Sequence, residues 1–139
     1  MATAPGFAST VLVGSAIASA TATTTLSGAV PDTATIVTAG ASGARIDVIR
    51  CLALGTTVAG RLNIFRQAGG SGSFFLIDQY LVAASTPGTS PDLSWNLVTN
   101  YDSASNNMLL LGAGDVLAFT VMETGNESLI MVTAIGGSF

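Results

Sequence analysis

The chain has 139 residues, the size of a single domain with its own core. Hydrophobic residues make up 49% of it and charged residues only 9%, against about 25% in an average soluble protein. The net charge is −4, with four arginines, no lysine and no histidine. This excludes a basic nucleic-acid groove, because neutralising phosphates requires clustered Lys and Arg. It also excludes chemistry that needs an imidazole, such as a Ser-His-Asp triad.

The sequence offers little other chemistry. The single cysteine, Cys51, excludes an internal disulfide and a thiolate metal cluster, and its apolar neighbours predict a buried thiol. The carboxylates are too scattered for paired acid–base catalysis, and the polar stretch 102–106 lacks the acidic density of a calcium loop. We therefore expect no enzyme, no metal and no cofactor. So few charges also indicate that much of the surface is covered by other protein.

The first charged side chain along the chain is Asp32, so residues 1–30 are uncharged. Frequent Ser and Thr interrupt this segment too often for a membrane span, and Met1 to Gly6 lacks the positive start of a signal peptide. We interpret residues 1–30 as an N-terminal arm or a first strand. The arm would lie against a neighbouring chain, whereas the strand would join the chain's own domain, which spans residues 31–139.

Beyond this segment the apolar residues alternate with a period of two, and glycine-rich or proline-containing turns recur every 10–15 residues. No segment predicts a convincing helix. The pattern predicts an all-β, jelly-roll-like sandwich of about eight strands. The strands are expected at 33–38, 45–54, 60–67, 74–82, 93–101, 108–111, 116–122 and 129–135.

Two of these strands, 45–54 and 74–82, are apolar at both parities. Such strands are typical of sheets buried on both faces, so we expect one sheet to pack on another subunit. The glycines of 69–72 and 112–114 are interpreted as turns, because no Lys or helix follows to cradle a phosphate. The glycosylation sequon at 126–128 is interpreted as a chance match. Trp95 and Tyr101 fit core packing or an interface better than a carbohydrate platform.

Three segments carry a resemblance. They are Gly43-Ala-Arg-Ile-Asp-Val-Ile-Arg50, Gly55-Thr-Thr-Val-Ala-Gly-Arg-Leu-Asn-Ile-Phe65 and the final Gly136-Gly-Ser-Phe139. In this order they resemble a group of small virion proteins of tailed bacteriophages, whose chains often end in Gly-Gly-Asp-Phe. Here Ser138 replaces the acid. The matching motifs are structural rather than catalytic.

The resemblance implies a capsid decoration, or cement, protein on the outer surface of the phage head. Such proteins are often trimers at local symmetry axes, and they brace the joints between major capsid protein subunits. The expected partners are therefore the major capsid protein and further copies of this chain, as a homotrimer. Neither nucleic acid nor a membrane is an expected partner, and synthesis is expected in the host cytoplasm.

Two groups of residues are candidates for these contacts. We expect the arm to contact the capsid, partly by strand addition, through Phe7, Val11, Leu12, Val13 and Ile17. We expect subunit contacts at Arg45, Asp47, Arg50, Tyr80 and Phe139. The three charged members form ion pairs, or else a solvated strand face. Deleting residues 1–25 is expected to abolish capsid binding and leave a folded oligomer.

A receptor-binding or fibre module remains the alternative function. It would present the loops 69–72, 86–91 and 102–107 to a host glycan. Copy number separates the two functions, because a cement protein is present in hundreds of copies per virion and a fibre module in a few dozen at most.

Overall fold

A computed structural model describes residues 10–87, 94–97 and 109–139, and residues 94–97 are described by their backbone pairing. These residues form ten strands and one short 3-10 turn at Ala68–Gly70, with no α-helix among them. Within these ranges, no helix is long and apolar enough to span a membrane. The strands are β1 (Thr10–Ile17), β2 (Ser27–Gly28), β3 (Ala34–Thr38), β4 (Ala44–Ala53), β5 (Gly60–Gln67), β6 (Phe74–Val82), β7 (Ser94–Leu97), β8 (Leu109–Leu111), β9 (Val116–Val121) and β10 (Ile130–Ser138).

The strands pair antiparallel in a nested order. The innermost pair is the β5–β6 hairpin, and around it β4 pairs with β7 and β8. Outside these, β3 pairs with β9, and β1 pairs with β10. A long hairpin rolled up in this way is a jelly roll, because each successive pair falls alternately in one sheet and then the other. The predicted all-β, jelly-roll-like sandwich is confirmed.

Two sheets result. Sheet 1 has the order β1-β10-β4, followed by β7 and β8 on the far side of β4, and sheet 2 has the order β2-β6-β5-β9-β3. The core lies between them, because alternate side chains of each strand point to opposite faces. The inner faces contribute fully buried residues from both sheets. They include Ile46, Ile49, Ile130 and Val132 from sheet 1 and Leu62, Ile64, Leu117 and Phe119 from sheet 2.

A β-bulge in β4 explains why this strand looks apolar at both parities. Opposite β10, Val48 pairs with Ile135 and Ile46 pairs with Gly136, so Asp47 is an extra residue in the ladder. The alternation shifts by one there, and both Ile46 and Ile49 point into the core. Val48 and Arg50 are consequently exposed. Core-facing residues of β4 are therefore even-numbered before Asp47 and odd-numbered after it, so neither the even nor the odd set looks polar in the sequence.

Around β9 and part of β5, sheet 2 is buried on both faces, and the chain itself covers the outer one. All six residues of β9 are buried, and so is Phe65 on the outer face of β5. Thr23 donates a backbone hydrogen bond to Val121 at the β9 side, whereas β2 pairs on the opposite edge with β6. The chain must then return across the sheet to β3, and Val30 within that connection is itself buried. Double burial at β9 therefore needs no second subunit, whereas β6 exposes Phe75 and Leu81, and a subunit packed on a sheet stays a prediction.

The first strand is part of the sandwich. β1 pairs with β10 along its whole length, and its inward residues Leu12 and Ala16 pack against the core. Gly14 lies over β3, where a Cβ atom would overlap the Ile36 carbonyl oxygen. Residues 10–17 are therefore a domain strand rather than a separate arm. Deleting residues 1–25 would strip β10 of one of its two partner strands and expose the core, so that deletion does not test capsid binding alone.

We predict that Gly14→Ala destabilises the protein by about 1–3 kcal/mol, because the new methyl group forces β1 away from β3. The measurement is the free energy of unfolding in urea. Gly40→Ala is the control, since its nearest heavy atom beyond its chain neighbours is the Ser138 hydroxyl at 3.7 Å. The control should change stability by less than about 0.5 kcal/mol. Equal stability of the two variants would contradict the close approach of β1 and β3.

Candidate interaction surface

The outer face of sheet 1 carries a contiguous group of apolar side chains in register. Across β1, β10 and β4, Val13 aligns with Ile135 and Val48. Residues directly opposite in antiparallel strands point to the same face, so these side chains lie side by side. The sheet 1 outer face, as the term is used below, comprises Val11, Val13, Ser15, Ile17, Val48, Arg50, Leu52, Met131, Thr133 and Ile135.

This face is unusually exposed for its composition. Val11 is 82% exposed, Val13 60% and Ile17 51%, and Val48 and Ile135 are each more than a third exposed. Arg50 is the one charged residue of this group, and Arg45, which lies in register with Gly137 and Val11, pairs with Asp47 at the end of the face. A shallow depression of about 170 Å³ lies beside it, lined mainly by Leu52, Met131, Thr133 and Ile135. Scattered exposed hydrophobics are normal, but contiguous apolar patches mark interaction sites.

Cys51 contributes no reactivity here. Its side chain points into the core and is fully buried, although its backbone borders the depression. Burial raises the pKa of the thiol to about 12, because removal from water penalises the thiolate. The thiolate is the reactive form, so Cys51 is inert at neutral pH. The buried thiol that the sequence predicts is what the structure shows.

The residues predicted for the N-terminal arm divide between two faces. Val11, Val13 and Ile17 lie on the sheet 1 outer face. Leu12 lies on the opposite side of β1 and packs against the core, so it is wrongly placed among the contact residues. Alternation along a strand is the reason, since neighbouring residues cannot share a face. Phe7 lies outside the described residues.

The predicted subunit-interface residues do not form one surface. Arg45 and Asp47 pair with each other at 2.8 Å at one end of β4, and Arg50 lies near the middle of that strand. Phe139 follows β10 and donates its backbone N–H to Gly43, beside the start of β4. Tyr80 is in sheet 2, packs partly against the core and donates its hydroxyl to Asp78. Tyr80 is therefore separated from the other four.

Other members of the exposed face were missed by the sequence analysis. Val48, Met131 and Ile135 are ordinary strand residues with no motif around them. Their only signal is register, because each lies opposite an exposed residue of a neighbouring strand. The order of the strands in the sheet was not predicted, so this alignment could not be found.

The carboxylate of Asp115 has a structural role. Asp115 is 3% exposed and accepts hydrogen bonds from the backbone N–H groups of Gly69 and Gly112 at 2.9 and 2.8 Å. The Arg66 guanidinium pairs with the same carboxylate at 2.6 Å. These partners, the Gly69 N–H foremost, lower the pKa of Asp115. Asp115 thereby joins the β5–β6 turn to the turn before β9.

Asn126, the first residue of the sequon, is likewise a structural residue. Its side chain is 1% exposed. It accepts a hydrogen bond from the Val58 backbone N–H at 2.9 Å and donates one to the Val58 carbonyl at 3.1 Å. A glycan on Asn126 would break both bonds, which supports the interpretation of the sequon as a chance match.

Residues 10–87, 94–97 and 109–139 contain no group of three or more Cys, Asp or Glu side chains that could hold a metal ion. The polar stretch 102–106 and the loop 102–107 lie outside the described residues, as do Tyr101 and most of the loop 86–91. No known protein family and no curated protein matches the chain.

We predict that Asp115→Asn destabilises the protein by about 2–3 kcal/mol at pH 7, because three donors lose a charged acceptor. The pKa of Asp115 is lower in the folded chain than in the unfolded chain. Its contribution is therefore complete above the ordinary Asp pKa of about 3.9 and disappears as the pH falls through the folded value. Urea unfolding measured from pH 7 to pH 3 should show the two proteins converging in acid.

Asp47→Asn is the matched control for this prediction. It removes a carboxylate whose side chain is 41% exposed in a surface ion pair, so it should cost less than about 1 kcal/mol. A difference between wild type and Asp115→Asn that stays constant down to pH 3 would contradict the role of the Asp115 charge.

Proposed function

We propose that the chain is a capsid decoration protein that binds the outer surface of a phage head through the sheet 1 outer face. The observation that carries the proposal is that this face exposes apolar side chains aligned across three neighbouring strands. The resemblance of segments 43–50, 55–65 and 136–139 to phage virion proteins supports the same function. In this proposal the chain is not an enzyme.

The mechanism is stabilisation by selective binding. A rigid sheet face can cover a joint between capsid subunits only where those subunits already lie side by side. A protein that binds the assembled shell and not its separated parts stabilises the assembled state by mass action. Removal of apolar surface from water contributes about 25 cal/mol per Å², and many copies act on one particle. Rupture of the shell then requires decoration protein to be lost.

A flat face of this size makes a modest contact by itself. Three strands about 4.8 Å apart and about eight residues long cover on the order of 400 Å². A standard protein interface buries about 800 Å² on each partner. A single copy is thus expected to bind weakly, and copies joined to one another to bind more firmly. Homo-oligomers, three copies according to the resemblance, fit this requirement.

We predict that Val48→Lys lowers capsid occupancy at least tenfold, because docking would bury an unpaired ammonium group. Val48 is in the middle of sheet 1, so its exposed side chain can change without disturbing the core. The measurement uses heads of the phage whose genome encodes the chain, stripped of it and incubated with purified protein.

Leu81→Lys is the control, because Leu81 is 82% exposed on β6 in the other sheet. It should bind the stripped heads as wild type does. Occupancy by Val48→Lys equal to that of the control would refute docking through the sheet 1 outer face.

Copy number tests the function independently of the binding face. Quantitative mass spectrometry of purified virions should find hundreds of copies of the chain, in a fixed ratio to the major capsid protein. A few dozen copies or fewer would contradict the decoration role and favour the receptor-binding or fibre module.

A further inference from the structure

The outer edge of β1 has no partner strand among residues 10–87, 94–97 and 109–139. Ala18 donates its backbone N–H to Ile130 at 2.8 Å, and peptide groups alternate in direction along an antiparallel strand. The even-numbered residues of β1 therefore direct their peptide groups toward β10, and the odd-numbered ones direct theirs away from it. No strand among the described residues pairs with this outer side. The unpaired groups belong to Val11, Val13, Ser15 and Ile17.

The two edges of sheet 2 have features that block edge pairing, and β1 has none of them. At the edges of sheet 2, β3 has only five residues, and β6 is covered by β2 at one end and carries Asp78 beside a bulge. β1 has eight residues, no charge, no proline and no bulge against β10. Proteins normally protect long apolar edge strands with such devices, because an open edge templates another strand. An unprotected edge indicates that a strand pairs there.

A second copy of β1 can pair with this edge with matching hydrogen bonds and compatible side chains. An antiparallel pair centred on Gly14 places Val13 of one copy opposite Ser15 of the other, and Val11 opposite Ile17. All four of these residues direct their peptide groups outward, so the hydrogen bonds match. No charges oppose one another, and Val11 and Ile17 form the cross-strand apolar pairs that stabilise sheets.

Pairing through β1 also doubles the area of the exposed apolar surface. The sheet 1 outer faces of both copies would lie on the same side of one continuous sheet. Their combined area is about 800 Å², the size of one side of a standard interface, whereas one copy offers about half of that. We propose that two copies of this chain pair antiparallel through β1 about a two-fold axis. This pairing goes beyond the proposed capsid function and replaces the three-fold assembly that the resemblance implies.

The oligomeric state of the full chain tests the proposal. Sedimentation equilibrium should give twice the chain mass of 13.9 kDa. Val13→Lys should raise the dimer dissociation constant at least tenfold, because it places two like charges at the paired edges. Leu81→Lys, a lysine at a more exposed site of sheet 2, should leave the dimer intact. A monomeric or trimeric wild type, or a dimer that Val13→Lys does not weaken, would overturn the proposal.

Cross-linking gives a positive signal that does not depend on weakening the protein. The three registers centred on Val13, Ser15 or Gly14 each place one engineered cysteine pair across the axis: Val13→Cys alone, Ser15→Cys alone, or both substitutions together when Gly14 is central. Cys51 is buried and does not compete for oxidation. Mild oxidation should produce a covalent dimer with at least one of the three variants. Covalent dimer from none of them would overturn the two-fold pairing.

The outcome is separable from that of the proposed function. Val48 lies two strands away from the β1 edge, so Val48→Lys tests capsid docking without altering the pairing. A monomeric protein that still occupies heads would overturn the pairing alone. A dimer that binds no heads would overturn the proposed function alone.

Discussion

The register of β10 between β1 and β4 is the constraint on which sheet 1 depends. One set of its side chains, Ile130, Val132 and Ala134, is fully buried in the core. Because the strand alternates, the intervening residues Met131 and Ile135 must point outward. The same register aligns β1 on one side and β4 on the other. The exposed apolar face is thus a direct consequence of how the core is filled.

The low charge of the sequence has two structural origins. Around β9 in sheet 2 it reflects burial by the chain itself, since β9 is buried on both faces and Val30 in the covering connection is buried as well. In sheet 1 no described segment covers the outer face, where Val11 and Val13 are largely exposed. Composition alone could not separate these cases. Two of the four arginines make local ion pairs: Arg66 holds a turn through Asp115, and Arg45 pairs within its own strand.

Much of the fold could be predicted because alternation and turn residues are local signals. The expected strands at 60–67 and 74–82 match β5 and β6 at both ends. β1 stayed ambiguous because Thr10–Ile17 is built of small residues whose role as a strand depends on β10 and β3. The inner face of β4 was not predicted, because the bulge at Asp47 arises only from pairing with Gly136. A surface formed by residues that strand register aligns from distant parts of the chain has no local sequence motif, so it could not be predicted.

The central claim is that protein covers the sheet 1 outer face while the chain is at work. Carbene labelling of intact virions and of released protein, read residue by residue, tests this most directly. The account predicts strong labelling of Val11, Val13, Val48 and Ile135 in the released, dissociated chain and loss of that labelling in the virion. Leu81 should be labelled equally in both states. Equal labelling of the sheet 1 outer face in both states, with protection of Leu81 instead, would contradict the account.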